Sequence, residues 1–317
     1  MKRISYITIL ILIAASCFAQ QNPFYNQYIF NELVINPAYA GTKQIINANA
    51  ILSKQWAGVD GSPMTQTVSV EGPASEKVGL GLHLINDHIG AQSHQGLFGI
   101  YSYKINVNEK YKVSFGLAAG ASYFSLDGTK LTTTSPDDPA VPKTSEHKLY
   151  LDSKAGIFLY SERLYAGFSI SDLFSDVFNR DPFFVKQSRH YYLTTGYLFD
   201  LSPTLKFKPS FLFKHVYKSP SNIDLNAYLL YNQRFWFGAT YRFGSVIFGN
   251  KRIDNTLKSR DAIVLMLDYN VTEKFRLGYA YTVTTSALKN FSGHEISLSY
   301  FIPRMEPVKK MNNIRYF

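Results

Sequence analysis

The chain holds a single cysteine, Cys17, among its 317 residues, and two tryptophans. One thiol builds neither a disulfide framework nor a cysteine zinc cluster. Charged residues are scarce, at 18% against a soluble average near ~25%. Beyond residue 19 no apolar run reaches the ~18 to 20 residues that a spanning helix needs, which argues against a multi-spanning helical protein. Intrinsic disorder is excluded too, because 46% of the residues are hydrophobic and 15% aromatic, ample surface to bury. What is present instead is tyrosine and phenylalanine, 23 and 24 of them, with 20 glycines and a formal net charge of +10.

Residues 1–19 read MKRISYITILILIAASCFA. Lys2 and Arg3 form a charged start, Ile7 to Ala15 an apolar core, and Cys17-Phe18-Ala19 a small-x-small cleavage pattern. This predicts a secretory leader cut near Ala19, with Sec-dependent export into the envelope. A membrane anchor would need a longer core. A lipid on Cys17 is the other alternative, but Ala14-Ala15-Ser16 lacks the usual large aliphatic residue at its first position. Cleavage removes the only cysteine and two basic residues, leaving 31 basic against 23 acidic, a net +8.

The main signal further along is alternation at period two. Phe275, Leu277, Tyr279 and Tyr281 face one way, and Arg276, Gly278, Ala280 and Thr282 the other. Val113, Phe115, Leu117 and Tyr123 oppose Lys112, Ser114, Gly116, Gly120 and Ser122; Leu205, Phe207, Phe211 and Phe213 oppose Lys206, Lys208, Ser210 and Lys214. Fourteen such segments are predicted: 43–53, 64–71, 78–87, 94–106, 111–124, 148–160, 164–172, 189–199, 204–217, 222–232, 234–243, 259–270, 274–284 and 292–301. Most match the ~9–11 residues of a tilted transmembrane strand.

The connections carry more weight. The odd-numbered gaps hold 10, 6, 23, 16, 4, 15 and 7 residues, and the even-numbered gaps 6, 4, 3, 4, 1 and 3. An outer-membrane barrel has short periplasmic turns and longer extracellular loops, whereas a soluble β-sandwich, the competing reading, has no reason to alternate. One face of each segment suits lipid; the other, of Gly, Ser, Thr, Lys and Arg, suits a wet or plugged lumen. Tyr101, Tyr103, Tyr160, Tyr165, Tyr191, Tyr192, Phe235, Trp236, Tyr300 and Phe301 sit at segment ends, where interfacial girdles are expected. The expected fold is therefore all-β: a transmembrane antiparallel outer-membrane barrel of about 14 strands over residues 43–301. An even strand count places both termini in the periplasm. Residues 20–42 do not alternate and are expected to plug or rim the periplasmic mouth; 302–317 forms a basic periplasmic tail. Gly79, Gly81, Gly116, Gly120 and Gly278 on the lumenal face allow another backbone to approach closely, although they equally fit an open pore.

Chemical motifs are few. The seven histidines, His83, His88, His94, His147, His190, His215 and His294, show no metal-ligand spacing. No G-x-S-x-G elbow occurs, and no helix follows Gly79-Leu80-Gly81 to make a phosphate site. Asp137-Asp138 between Pro136 and Pro139 reads as a solvated turn rather than a calcium site. No catalytic residue, cofactor or metal is expected. The basic residues are scattered, so nucleic acid is not an expected partner. Lys206, Lys208, Lys214 and Arg276 suggest either anion preference in a pore or pairing with carboxylates of a plug.

Asn36-Pro37-Ala38-Tyr39-Ala40-Gly41, within NELVINPAYAG, resembles the N-terminal signature of the PorP/SprF family of outer-membrane proteins in the type IX secretion system of Bacteroidetes. Gln55-Trp56 with Gly58 and Pro63, then VGLGLHLINDHIG with Asp87 and Gly90, and GFSISDL with Asp172, resemble further blocks of that family in the same order. The resemblance spans roughly residues 22–301. It implies a non-enzymatic barrel in the export or surface attachment of a cell-surface protein such as a gliding adhesin. Implied partners are that adhesin or another type IX substrate, the secretion machinery, a periplasmic peptidoglycan-linked protein and the lipid bilayer. A porin-like solute channel with mild anion preference is the alternative. The long connections 125–147, 173–188 and 244–258 lie at the extracellular end; in the second, Phe174, Val177, Phe178, Phe183 and Phe184 either cap the lumen or dock the adhesin. The NPAYAG segment and the tail offer partner contacts at the periplasmic end.

Overall fold

The computed structural model describes residues 25–132, 141–175, 184, 188–217, 219–245, 262–285 and 291–302. The expected leader (1–19), the tail from 303 onward and Val177, Phe178 and Phe183 lie outside the described residues.

Fourteen strands form one antiparallel sheet. They are β1 (Ile46–Lys54), β2 (Met64–Pro73), β3 (Val78–Ile89), β4 (Gln92–Asn106), β5 (Lys112–Asp127), β6 (Ser145–Tyr160) and β7 (Leu164–Ser171). Then come β8 (His190–Tyr197, resumed at Phe199–Asp200 after a break at Leu198), β9 (Leu205–Val216) and β10 (Ser221–Tyr231). The last four are β11 (Phe235–Ser245), β12 (Ala262–Asn270), β13 (Phe275–Thr284) and β14 (Ser292–Ile302). Both pieces of β8 pair with β9, through Gly196↔Ser210 and Phe199↔Phe207, so they are one strand. Each strand pairs with its sequence neighbour, and β14 returns to β1 from Ile46↔Ile302 to Lys54↔His294. The sheet is thus a closed 14-strand barrel without a free edge, which is how a sheet satisfies its backbone in lipid. No described helix is long and apolar enough to cross a membrane.

The alternation puts apolar side chains outside. Phe275, Leu277 and Tyr279 are 41%, 50% and 41% exposed, while Arg276 and Ala280 of the alternate set are 2% and 0%. The ends differ as expected: at one, connections 74–77, 107–111, 161–163, 201–204, 232–234 and 271–274 are short; at the other lie 55–63, 128–144, 172–189, 246–261 and 285–291, with 217–220 a short exception among them. The connection between β3 and β4 departs from its expected six residues. It is Gly90-Ala91 alone, because both strands run further out and Gly90 adopts a positive φ of 57° that closes the hairpin.

The girdle is corrected by half. Tyr101, Tyr103 and Phe235 are exposed at the short-turn end, but Tyr160, Tyr165, Tyr192, Trp236 and Phe301 are buried inside the barrel. Consecutive aromatics such as Phe235-Trp236 must point to opposite faces, so a run at a strand end fills both girdle and lumen.

Candidate functional site

The lumen is where the chain departs from a simple pore. Residues 25–43 form an irregular strap inside the barrel, and all nineteen are buried. Three short 3-10 turns, Asn26–Phe30, Glu32–Val34 and Pro37–Tyr39, keep it compact. Pro37 starts the last of them, and Asn36 caps it: its Oδ1 accepts from the Ala38 N–H at 3.0 Å.

The inner half of the strap fits a wall cut away by glycine. Gly41 holds φ +70°, and a Cβ there would stand 2.8 Å from Gly79 Cα. A Cβ on Gly79 would overlap the Ala40 carbonyl; one on Gly116 would overlap the Ala38 backbone; one on Gly156 would overlap the Asn36 side chain. Hydrogen bonds fix the same register. Ser102 Oγ donates to the Ala40 carbonyl at 2.6 Å, the Gly41 N–H to Glu71 Oε2 at 2.6 Å, and Lys104 Nζ to the Gly41 carbonyl at 2.9 Å. Asn36 Nδ2 donates to the Ile157 carbonyl at 3.1 Å. Of the five lumenal glycines, Gly79, Gly116 and Gly278 meet the strap; Gly120 is crowded by β4 instead, and a Cβ on Gly81 would make only ordinary contact with neighbouring strands.

The outer half is held by charge. The Gln27 and Asn26 N–H groups donate to the Glu295 carboxylate at 2.7 and 3.1 Å. Arg242 grips Asp224 with two bonds of 2.8 Å and donates to Asn26 Oδ1 at 3.2 Å. Asn226 Nδ2 donates to the Tyr28 hydroxyl at 2.8 Å. The Arg276 guanidinium lies 4.4 Å from the Phe30 ring centroid, and Trp236 meets that ring edge-on at 5.4 Å. Lys208 Nζ donates to the Ile29 carbonyl at 3.4 Å. Lys208 and Arg276 therefore face strap aromatics and carbonyls, while Lys206 pairs with Asp200 at the short-turn end and Lys214 lies over Tyr192.

These contacts trace the path of the segment that precedes β1. β1 begins and β14 ends at the short-turn end, but the segment before β1 runs back up the lumen. Asn26 sits beside Glu295 and Arg242, each three residues from the long-loop end of its strand. The first described residues therefore lie in the half of the lumen nearer the long loops, and the strap reaches the short-turn end at Gly41.

A family model described as type IX secretion system membrane protein PorP/SprF matches residues 17–300. The chain belongs to the PorP/SprF family. Among solved structures, the CymD monoaromatic hydrocarbon channel overlays at TM-score 0.50 and 14% identity, covering 87% of this chain and 93% of that one. A Pseudomonas aeruginosa FadL homologue gives 0.45 and 10%, covering 92% and 96%, and Acinetobacter baumannii Omp33 gives 0.45 and 10%, covering 82% and 100%. At these identities the likeness concerns the fold. No curated protein matches the chain. This PorP/SprF protein is an outer-membrane barrel and a membrane component of type IX secretion.

The family-signature residues fall into three places in the PorP/SprF barrel. Asn36, Pro37, Ala38, Tyr39, Ala40 and Gly41 are the inner strap, and they are buried. They cannot present the periplasmic surface expected of them. Gln55, Trp56, Gly58 and Pro63 fold the first long-end connection, with φ of +50° at Trp56 and +91° at Gly58 and a Gln55 N–H bond to the Pro63 carbonyl at 3.0 Å. Asp87 and Gly90 join this group: Thr65 donates to Asp87 at 2.5 Å, and the Gly90 N–H to the Gly61 carbonyl at 2.8 Å. Asp172 stands apart after β7, with φ +59°, bonded to His190 Nδ1 at 2.9 Å and Ser171 Oγ at 3.0 Å. Phe174 is exposed and Phe184 half-buried.

Arg242, Asp224 and Asn26 went unnoticed in the sequence, and Glu295 was placed on the inward face without a role. The available signal was charge at inward-facing strand positions. A charge facing a lumen needs a partner, and charges of both signs at such positions predict a lumen paired within itself.

Proposed function

We propose that this barrel is a non-enzymatic accessory of type IX secretion whose lumen is closed by its own strap, and which supports export or surface attachment of a cell-surface protein such as a gliding adhesin. The observation that carries this reading is the unbroken burial of residues 25–43 within the barrel. Side chains that would line a solute pore are occupied by the strap: Lys104 and Lys208 by carbonyls, Arg276 by Phe30. With no through-path, the working surfaces are the two ends. The long-loop end, with Phe174, Val177, Phe178, Phe183 and Phe184, is the docking face for the exported protein. The short-turn end and the basic tail meet the secretion machinery and a peptidoglycan-linked protein. The leader is cleaved near Ala19 after Sec-dependent export.

A strain lacking this chain tests the assignment. The expected result is loss of one or more surface proteins from intact cells, with small-solute uptake unchanged. Unchanged surface proteins with impaired uptake of small anions would favour the solute-channel reading instead.

A further inference from the structure

The two halves of the strap are held differently. The inner half is held by Ser102, Lys104 and Glu71 and is also seated in glycine sockets, and filling those sockets would clash. The outer half binds through groups that recognise a polypeptide in general terms. Glu295 accepts two successive main-chain N–H groups, Asn226 takes a phenolic hydroxyl, and Arg276 with Trp236 holds an aromatic ring. Unmet polar atoms remain along the lumen, Glu71 Oε1 and Ser114 Oγ on β2 and β5 among them. On this wall Asp268 is 0% exposed and paired with Arg276, whose Nε lies 4.0 Å from Oδ1, but neither carboxylate oxygen accepts a hydrogen bond among the described residues. The indole N–H of Trp236, opposite Asp268 in the sheet, is likewise buried without a partner. Buried donors and acceptors left unmet are costly, so the wall retains capacity for a ligand that the strap does not use.

We infer that the lumenal wall of β9–β14 is a polypeptide-binding site, occupied in cis by the strap's first turn and able to take a second amide- and aromatic-bearing segment in trans from the long-loop end. This rests on the closed-lumen reading and extends it: the strap is an internal competitor at a peptide site. Asn26 lies near the long-loop ends of β11 and β14, so an incoming segment would displace the outer half first. The inner half would stay seated in its glycine sockets.

The probe is a fluorescein-labelled peptide of the strap's own sequence, YNQYIF, followed by fluorescence anisotropy with the full barrel in detergent. Tyr28→Ala with Phe30→Ala weakens the cis occupant; heat-modifiable gel mobility reports that the barrel stays folded. The peptide should bind this variant at least about tenfold more tightly than the parent. Adding Glu295→Gln should weaken that binding about tenfold, the loss of one charge-assisted contact. Equal binding to parent and variant, or none to the variant, would overturn the inference. Should the double variant not fold, Glu295→Gln alone serves. Chymotrypsin should then cut the strap at Tyr25 or Tyr28 in the variant but not in the parent, and equal resistance would overturn the inference. Conductance of the parent is a separate arm: a steadily conducting parent sinks the closed-lumen reading, whereas a silent parent whose variant ignores the peptide sinks this inference alone.

Discussion

Gly116 on β5 lies flat against the backbone of Ala38, so closely that a single methyl group would overlap the Ala38 amide nitrogen. No side-chain rotation can relieve the overlap, because one neighbour is strand backbone and the other is strap backbone.

Gly116→Val should therefore unseat the inner strap or slow barrel assembly. Overpacking of this kind costs about 1–3 kcal/mol. Urea titration of heat-modifiable mobility should show the shift, with Gly99→Val as a control, since a Cβ on Gly99 meets nothing nearer than 3.9 Å. Equal effects at the two glycines would contradict the socket.

Leu265 sits midway along β12 and is 51% exposed on the outer face, while its neighbour Val264 is 1% exposed. Leu265→Arg should destabilise the inserted barrel by about 2–4 kcal/mol near the bilayer midplane. Leu277→Lys should cost less, because Leu277 is two residues from the short-turn end of β13. Denaturant titration in phospholipid vesicles measures both, and a silent Leu265→Arg would invert the facing.

The Asp224–Arg242 pair is buried and bidentate. Asp224→Asn or Arg242→Met alone should cost about 3–5 kcal/mol, because each leaves a buried charge unpaired. Asp224→Leu combined with Arg242→Met should recover much of that loss. A double-mutant cycle that proves additive would show the pair to be uncoupled.

On the docking role proposed for the long-loop end, deletion of 174–184 should leave a folded, membrane-inserted barrel and abolish surface retention of the exported protein, an adhesin in that proposal. Gel mobility reports the barrel, and surface labelling reports the adhesin. Normal display in a correctly inserted deletion variant would move the contact to the short-turn end.

The wall was legible because lipid imposes one rule on every strand: alternate residues must be apolar, as in Phe275, Leu277 and Tyr279. Connection lengths then supplied the closure. The interior obeys no such period. Glycines at 79, 116 and 278 signalled close approach, but not to which backbone, since Gly120 carries the same signal and meets β4 instead. The strap's path was hidden for the same reason. Its anchors, Glu295 and Arg242, lie 269 and 216 residues from Asn26, and only the closed barrel brings them together. Aromatic pairs at strand ends were ambiguous by parity, which is why Trp236 was expected in the girdle and lies in the lumen.

Single-channel recording of the purified full-length barrel in planar bilayers tests the central claim, that the strap of residues 25–43 closes the lumen, most directly. The parent protein should show no steady large conductance, and clear openings should follow once Gly79→Val with Gly116→Val has driven the strap from its sockets. Steady, anion-preferring conductance from the unaltered protein would contradict it.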